Sequence, residues 1–280
     1  MTYEISKKIL STVGRTNATY NLIREGDKVL LGLSGGKDSI LLACLLERMK
    51  RHAPFKFDYL AVTVHYGMGE DYTWLENLCK EQGINHQVYY TTIMDTIVEK
   101  RREGSSYCSF CSRMRRGALY TKALELGYNK VAIAHHLDDA AESFFMNLTY
   151  NGALRSMAPI YKAENGLYVI RPLIHVRERQ TRDFVLSQNV PTAPACTCPA
   201  RRPDSDKPPI AREATKNFLA ELEKENPNFF VSLKNAFSNI HANSFSDLAY
   251  LDKKDEKKGG GGDNYHFFTS STKKGKSKRG

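Results

Sequence analysis

Long apolar runs and a secretory signal are both missing from this sequence of 280 residues. No stretch approaches the ~20 consecutive apolar residues that a membrane-spanning helix needs. The segment from Met1 to Lys8 is too polar for a secretory signal. Both absences argue against a membrane or secreted protein, so we expect a cytoplasmic protein with no membrane contact. Hydrophobic residues make up 41% of the chain and charged residues 26%, which is typical of a soluble globular protein.

The charge is unevenly distributed along the chain. The formal net charge is +10, and residues 251–280 contain nine basic and four acidic side chains. This stretch is rich in Lys, Gly and Ser, so we expect it to be a disordered basic tail. The positive excess indicates a polyanionic partner such as nucleic acid, although a solubilising surface explains it equally well.

Strand and helix patterns alternate along the first two thirds of the sequence. Short apolar runs predict five strands, at residues 28–33, 59–64, 86–91, 130–134 and 167–170. Helical patterns separate them, at residues 40–49, 71–82, 109–126 and 138–150. This alternation predicts an α/β fold with a doubly wound parallel sheet of about five strands. Ligands bind such sheets at the carboxyl ends of the strands, where the loops richest in polar residues fall.

Four parts make up the predicted organisation. They are an N-terminal helical segment at residues 1–26, the sheet domain at 27–190, a C-terminal region at 191–250 and the tail at 251–280. The C-terminal region begins with a Pro- and Cys-rich loop at residues 191–209. Two helices are predicted to follow this loop, at residues 210–224 and 228–248.

The loop after the first strand is suited to bind phosphate. The run Ser34-Gly-Gly-Lys-Asp-Ser39 combines glycines that permit a tight turn with hydroxyl donors and the charge of Lys37. Phosphate would therefore be bound by Ser34, Gly35, Gly36, Lys37, Asp38 and Ser39. A purely structural glycine turn is the alternative. The loop is not a Walker A motif, because Lys37 is followed by Asp38, and it lacks the three-glycine dinucleotide fingerprint.

Six cysteines are present, and four of them form two close pairs. Cys44 and Cys79 fall within helical patterns and are expected to be buried structural thiols. The pairs are Cys108 with Cys111 and Cys196 with Cys198. In a reducing compartment such pairs indicate metal binding or catalysis rather than disulfides.

The motifs resemble those of a known family. The phosphate loop is similar to the PP-loop of the ATP pyrophosphatases, and His135-His-Leu-Asp-Asp139 is similar to a second element of the tRNA-modifying members. The run from Cys108 to Tyr120, together with Ile170-Arg-Pro-Leu173 and the Pro-rich cysteine loop, resembles the tRNA 2-thiocytidine synthetase (TtcA) family. The resemblance covers roughly residues 25–245.

This resemblance implies an iron–sulfur enzyme. Family members hold a 4Fe-4S cluster with three cysteines and leave one iron open to carry sulfide. Cys108 and Cys111 match the first two ligands. Either Cys198 or Cys196 is the third, with Cys198 slightly favoured because Pro199 follows it. A closed structural zinc site that uses all four cysteines is the competing interpretation.

The resemblance also implies a reaction and its participants. ATP and Mg²⁺ would adenylate the cytidine at conventional position 32 of a tRNA anticodon loop, and sulfide would then displace AMP. The implied catalytic residues are Asp38, Lys37, Asp138, Asp139 and Arg115, the last at the position of a catalytic basic residue in related enzymes. The implied partners are tRNA and a cysteine desulfurase or other sulfur donor, and the oligomeric state stays open, a homodimer included.

Two other functions remain compatible with these residues. One is a nucleic-acid-binding protein with a structural zinc site and a degenerate nucleotide pocket. The other is a PP-loop ligase with a substrate other than RNA. Tyr107, Phe110, Arg201 and Arg202 lie in suitable loops to contact splayed RNA bases, although each is explained equally well by a structural or solvated position.

Overall fold

A computed structural model describes residues 2–67, 69–100, 107–193 and 210–247. The strands are β1 (Lys28–Gly32), β2 (Asp58–His65), β3 (His86–Tyr90), β4 (Lys130–Ala132), β5 (Ile160–Lys162) and β6 (Tyr168–Ile170). The helices are α1 (Lys7–Tyr20), α2 (Lys37–His52), α3 (Thr73–Gln82), α4 (Ile93–Lys100), α5 (Tyr107–Glu125), α6 (Leu137–Asn151), α7 (Glu178–Ser187), α8 (Ile210–Glu225) and α9 (Phe229–Ala236). A short 3₁₀ turn spans Ala242–Ser244.

The strands form a single sheet of six, in the order β3-β2-β1-β4-β6-β5. All neighbouring strands pair in parallel except β5 and β6, which are antiparallel. The chain runs from β1 outward to β3 and then returns to the other side of β1 with β4. This reversal between β1 and β4 is the switch point at which doubly wound sheets bind ligands. The predicted fold class is confirmed.

One strand and two helices were not predicted. Strand β5 is a three-residue edge strand that is only partly buried, so it carries no clear apolar run. Helix α4 follows β3 closely, and α7 begins just after the Ile170–Leu173 match. Helix α9 ends at Ala236, well before the predicted end at residue 248. Phe237 is the C-cap of the helix, and Ile240, the next large apolar residue after it, is 73% exposed and therefore offers no packing that would prolong the helix.

Three apolar clusters hold the described part together. One cluster lies between α1, α2, α3, α7 and one face of the sheet, and a second lies between α4, α5 and the opposite face. A third joins α6, α8 and α9. Cys44 and Cys79 belong to the first cluster, and burial raises the pKa of each thiol to about 12. The expectation that these two thiols are structural is confirmed.

Two compact units divide the chain after Ser238. In its described part, the second unit contains only the 3₁₀ turn. Among the described helices, none is long and apolar enough to cross a lipid bilayer. The domain boundaries from the sequence stay a prediction, since most of residues 191–209 and all of the tail lie outside the described residues.

Candidate active site

The predicted phosphate loop connects β1 to α2 at the switch point of the sheet. Gly35 has a φ of +77°, a conformation that side chains with a Cβ rarely adopt. Gly36 is the N-cap of α2 and has no side chain to accept from the helix. The first N–H groups of α2 therefore remain available to an anion, and the helix dipole favours negative charge there.

Two serine hydroxyls brace this loop from within. The Ser39 hydroxyl donates to the carbonyl oxygen of Gly36 at 2.8 Å, and its oxygen lies 3.1 Å from Ser34 Oγ. The backbone N–H of Ser34 also donates to Ser39 Oγ, at 3.2 Å. Ser39 is buried, so it holds the turn together, whereas Ser34 stays on the exposed side. The two serines that the sequence suggested as phosphate donors thus occupy different positions.

Lys37 lies between two carboxylates. Its Nζ is 3.0 Å from Asp38 Oδ2 and 3.2 Å from Glu178 Oε1. Burial acts to lower the pKa of Lys37, but the two carboxylates outweigh it and raise the pKa above its ordinary value. The pKa of Glu178 is lowered to about 2, because Lys216 and Lys37 outweigh the opposite effect of burial. Lys37 is therefore a fixed positive charge at the loop.

One carboxylate oxygen of Asp38 has no partner among the described residues. Its Oδ2 contacts Lys37 and lies 3.8 Å from His136 Nε2. Its Oδ1 is buried and accepts no hydrogen bond from any residue that the structure describes. A buried carboxylate oxygen without a donor is costly unless something else satisfies it. An oxygen ligand of this kind beside a phosphate loop fits Mg²⁺, which is held by one or two carboxylates together with substrate phosphates.

The second predicted element forms the start of α6. His136 is the N-cap, and its ring Nδ1 accepts from the backbone N–H of Asp139 at 3.3 Å. Asp139 completes the capping box by accepting from the backbone N–H of His136 at 3.0 Å. Asp139 thus caps the amino end of α6.

Arginines from distant elements bind the two aspartates. Arg177, just before α7, donates to Asp138 at 3.0 Å and to Glu223 at 2.7 Å. Arg212 on α8 lies 2.6 Å from Asp139. Both aspartates are therefore paired with arginines, whereas Asp38 pairs with Lys37 through Oδ2 alone and keeps Oδ1 without a donor among the described residues. Of the three predicted carboxylates, Asp38 best fits a metal ion.

Sequence reasoning missed Arg177, Glu178 and Arg212. Arg177 and Glu178 lie four and five residues after the Ile170–Leu173 match, at the start of a helix that was not predicted. The signal available was their position at a helix start after a predicted strand. No pattern in the sequence, however, pairs Glu178 with Lys37 or Arg212 with Asp139.

His135 is held neutral in one tautomer. Arg171 donates from Nε to His135 Nδ1 at 3.2 Å, so a proton on the neutral ring lies on Nε2. Burial, and then the charge of Arg171, lowers the pKa of His135 to about 4. Arg171 is itself buried and lies over the ring of Tyr161. The element after β4 thus provides a neutral imidazole next to its carboxylates.

The first cysteine pair lies in the first turn of α5. Cys108 and Cys111 are three residues apart, a spacing that places two positions on the same face of a helix. Cys111 is partly buried and packs against the second cluster, as does Phe110. Arg115, one turn further on, donates to the Tyr66 hydroxyl at 2.8 Å. Tyr66 directly follows β2, so Arg115 reaches the carboxyl edge of the sheet.

The second cysteine pair is not among the described residues. Cys196, Cys198, Arg201 and Arg202 all lie in the gap between residues 193 and 210. Within the described ranges, no three His, Cys, Asp or Glu side chains are grouped as a metal site. The start of the gap is nevertheless fixed, because the N–H of Ala193 donates to the carbonyl oxygen of Gly35 at 2.8 Å. The segment that bears Cys196 and Cys198 thus begins at the phosphate loop.

Comparison with known proteins places this geometry in context. The family described as the PP-loop domain matches residues 3–191. The tRNA-cytidine(32) 2-sulfurtransferase of Geobacter metallireducens is 43% identical over 243 residues, which is 86% of this chain and 93% of the relative. The protein of the same name from Geobacter sulfurreducens is 43% identical over 244 residues, with the same coverage of both chains.

A solved structure shares the fold. It is the U34-tRNA thiolase NcsA from Methanococcus maripaludis with its 4Fe-4S cluster. The two structures superpose with a TM-score of 0.68, and the match covers 83% of this chain and 78% of the thiolase at 24% identity. This likeness shows that the described sheet and helices have the architecture of that enzyme.

Proposed function

Since the chain belongs to the PP-loop family, and within it to the tRNA-cytidine(32) 2-sulfurtransferases, we propose that it thiolates tRNA at the expense of ATP. Its product is 2-thiocytidine at position 32 of the anticodon loop. The observation that supports the ATP site most directly is Asp38. Its buried Oδ1 lacks a donor in the described structure, beside the fixed charge of Lys37 and the free N–H groups of α2.

ATP binds with its phosphates on residues 34–39. The N–H groups at the start of α2 contact the phosphate oxygens, and Lys37 offsets their negative charge. Asp38 Oδ1 would hold Mg²⁺, which supplies electrostatic stabilisation of the charge that develops on the leaving pyrophosphate. Arg177 and Arg212 keep Asp138 and Asp139 in place at the start of α6.

The reaction has two displacements. The O2 oxygen of the cytosine attacks the α-phosphorus of ATP, pyrophosphate leaves, and the base becomes an adenylate. Sulfide then attacks C2, and AMP leaves with the original oxygen. The neutral ring of His135 carries its proton on Nε2. It can therefore donate a hydrogen bond within the site without adding a full positive charge there. Arg115 stays a proposed basic residue on the helix that carries Cys108 and Cys111.

The cysteines fit an iron–sulfur cluster. Cys108 and Cys111 share one turn of α5, and Ala193 fixes the start of the segment with Cys196 and Cys198 at the phosphate loop. Thiolates are the ligands of such clusters, and we propose Cys108, Cys111 and one of Cys196 and Cys198 as the three that hold it. When bound, the cluster supplies an open iron that carries the sulfide. A cysteine desulfurase together with a two-electron thiol reductant, or a donor of inorganic sulfide, would replenish this sulfide, and we place the reaction in the cytoplasm.

An assay of paired products tests this function. Anaerobically purified holoenzyme is incubated with ATP, Mg²⁺, sulfide and unmodified tRNA, and AMP and 2-thiocytidine are quantified together. We expect one AMP for each 2-thiocytidine, and neither product with a tRNA in which cytidine 32 is replaced by uridine. AMP formation at the full rate without tRNA would instead indicate a ligase with a different substrate. Zinc without iron would indicate the structural zinc site.

A further inference from the structure

A groove of about 530 Å³ opens between α1, α7 and α9. Its lining contains five basic side chains, namely Lys8, Arg15, Arg177, Arg179 and Lys234. No Asp or Glu is among the described residues that line it. Hydroxyl groups of Thr12 and Thr19 are also present. The groove therefore offers cations and hydrogen-bond donors to a ligand, and no opposing charge of its own.

Part of this positive charge is already neutralised. Arg177 is bound by Asp138 and Glu223, and Arg179 lies 3.4 Å from Glu223. The other three cations, Lys8, Arg15 and Lys234, form no ion pair with any residue that the structure describes. Three uncompensated charges around one concave surface attract a polyanion, because clefts focus the field of the charges that line them.

The groove also presents an acceptor beside these donors. His175 lines it, and its pKa is lowered to about 4 by burial and by the charge of Lys234, so the ring is neutral near pH 7. The Thr16 hydroxyl donates its proton to the carbonyl oxygen of Thr12 at 2.8 Å. Thr16 Oγ1 must then accept from Nδ1 of His175, at 3.0 Å, which leaves Nε2 as an acceptor. A ribose 2′-hydroxyl is a donor that suits this acceptor.

Arg177 connects the groove to the active site. The side chain lines the groove, lies 3.4 Å above the ring of Phe230 and holds Asp138 at the start of α6. Asp138 Oδ2 is in turn 3.8 Å from the ring of His136, which faces Asp38. A ligand in the groove would therefore lie one side chain away from the carboxylates of the ATP site.

We propose that this groove binds the sugar–phosphate backbone of the tRNA substrate and orients the anticodon loop toward the ATP site. The inference rests on the proposed function, since it assumes an RNA substrate. Cations without acidic neighbours bind phosphates, the hydroxyls donate to phosphate oxygens, and His175 accepts from ribose. These contacts position RNA and carry no base specificity, so the groove supplies affinity while the active site selects the cytidine.

A triple variant tests the groove against a matched control. Lys8→Ala/Arg15→Ala/Lys234→Ala removes the three uncompensated cations. Arg24→Ala/Lys28→Ala/Lys56→Ala removes three exposed cations near the amino ends of β1 and β2, none of which lines the groove. Binding of labelled tRNA to holoenzyme is measured by fluorescence anisotropy between 50 and 300 mM salt. Each lost phosphate contact lowers the magnitude of the slope of log K against log salt by about 0.7 to 0.9. With three cations removed, the magnitude of the slope for the groove variant should fall by about 2.

Three further results decide between explanations. The control should keep the slope of the wild type, and Lys8→Arg/Arg15→Lys/Lys234→Arg should bind tRNA like the wild type because it keeps the charges. The groove variant should show at least a tenfold rise in KM for tRNA, larger than its loss of kcat. An unchanged slope and an unchanged KM in the groove variant, with normal thiolation by the wild type, would contradict tRNA binding in the groove. The proposed function would stay intact.

Failure of the function itself looks different. In that case the wild type makes no 2-thiocytidine and no tRNA-dependent AMP, whatever the groove variant binds. A groove variant that binds tRNA normally and loses activity only when a cysteine desulfurase replaces free sulfide would assign the groove to that protein, and would overturn the inference.

Discussion

The backbone N–H of Ala193 donates a 2.8 Å hydrogen bond to the backbone carbonyl of Gly35. Gly35 is the centre of the phosphate loop, and Ala193 is the last described residue before the segment with Cys196 and Cys198. The two residues are far apart in sequence, yet one bond joins the proposed ATP site to the start of the proposed sulfur site. Adenylation and sulfur delivery act on the same base, so their sites have to adjoin.

Gly35→Ala should impair both stability and ATP use. Its φ of +77° disfavours a Cβ, and an added Cβ would lie 3.1 Å from Trp74 and 3.2 Å from Ala193. Gly26→Ala is the matched control, because Gly26 has the same φ of +77° and an added Cβ there would meet no atom of the described residues within 4 Å. We expect each variant to lose about 1–2 kcal/mol in urea unfolding from the backbone alone. Only Gly35→Ala should lose ATP-dependent thiolation. Equal activity of the two variants would show that the close packing of Trp74 and Ala193 against Gly35 does not matter for ATP use.

Asp38→Asn should abolish thiolation and leave the fold intact. It removes the charge of the buried oxygen that has no donor in the described part of the chain, and with it the proposed metal ligand. We expect a loss of at least about a hundredfold in AMP formation, because several kcal/mol of charge stabilisation disappear. The control is Asp58→Asn, which changes a half-exposed carboxylate at the start of β2. Normal 2-thiocytidine yield from Asp38→Asn would refute the ATP-site assignment.

Replacing Ser39 with Ala should also abolish thiolation. Unlike Asp38, which we propose as a metal ligand, Ser39 acts through the shape of the loop. Its hydroxyl donates to the carbonyl oxygen of Gly36 and accepts from the N–H of Ser34. Loss of a buried hydrogen bond costs about 1 kcal/mol, so the protein should still fold. Ser34→Ala, on the exposed side, should retain more activity than Ser39→Ala. The measurement is the AMP yield at saturating ATP together with the midpoint of urea unfolding.

Stability below pH 5 should depend on Glu178. Its pKa of about 2 in the folded protein lies below the ordinary value near 4.5, so the ionised form stabilises the fold. This contribution is complete above about pH 4.5 and is lost as the pH falls towards 2. Glu178→Gln should therefore flatten the dependence of unfolding free energy on pH in that range. The control Glu213→Gln, an exposed position on α8, should follow the wild type.

Cysteine variants should identify the cluster ligands. Cys108→Ala and Cys111→Ala should each lose bound iron, the brown absorption and all thiolation. One of Cys196→Ala and Cys198→Ala should do the same, and the other should keep its iron and its activity. The reason is that a cluster with one open iron uses only three cysteine ligands in all. Cys44→Ala, in the buried cluster, is the control and should keep its iron. Stoichiometric zinc that all four variants lose would establish a closed zinc site instead.

Deletion of residues 252–280 should weaken tRNA binding modestly. It removes nine basic side chains and no residue of the described core. The slope of log K against log salt should fall, since fewer phosphates are neutralised. The deletion should not change the iron content. A slope equal to that of the full chain would show that the tail makes no contact with RNA.

Local patterns in the sequence predicted much of the fold. Alternating strands and helices predicted the parallel sheet, and glycines after β1 predicted the turn at Ser34 to Ser39, because these features depend on neighbouring residues. Edge strand β5 and helix α7 escaped prediction. Strand β5 is formed through its antiparallel pairing with β6. The alternation of apolar and polar residues in β5 does not reveal this partner, which follows after a turn.

By itself, the sequence determined the fold class, the glycine turn after β1 and the family, since each rests on residues close together in the chain. Only the tertiary structure decided that Glu178 reaches Lys37, that Arg212 binds Asp139 and that Ala193 closes on Gly35. The physical reason is that charges and backbone groups have no preferred partner in a sequence. Packing of α7 and α8 against the rest of the fold selects the partner, and with it the electrostatics of the site.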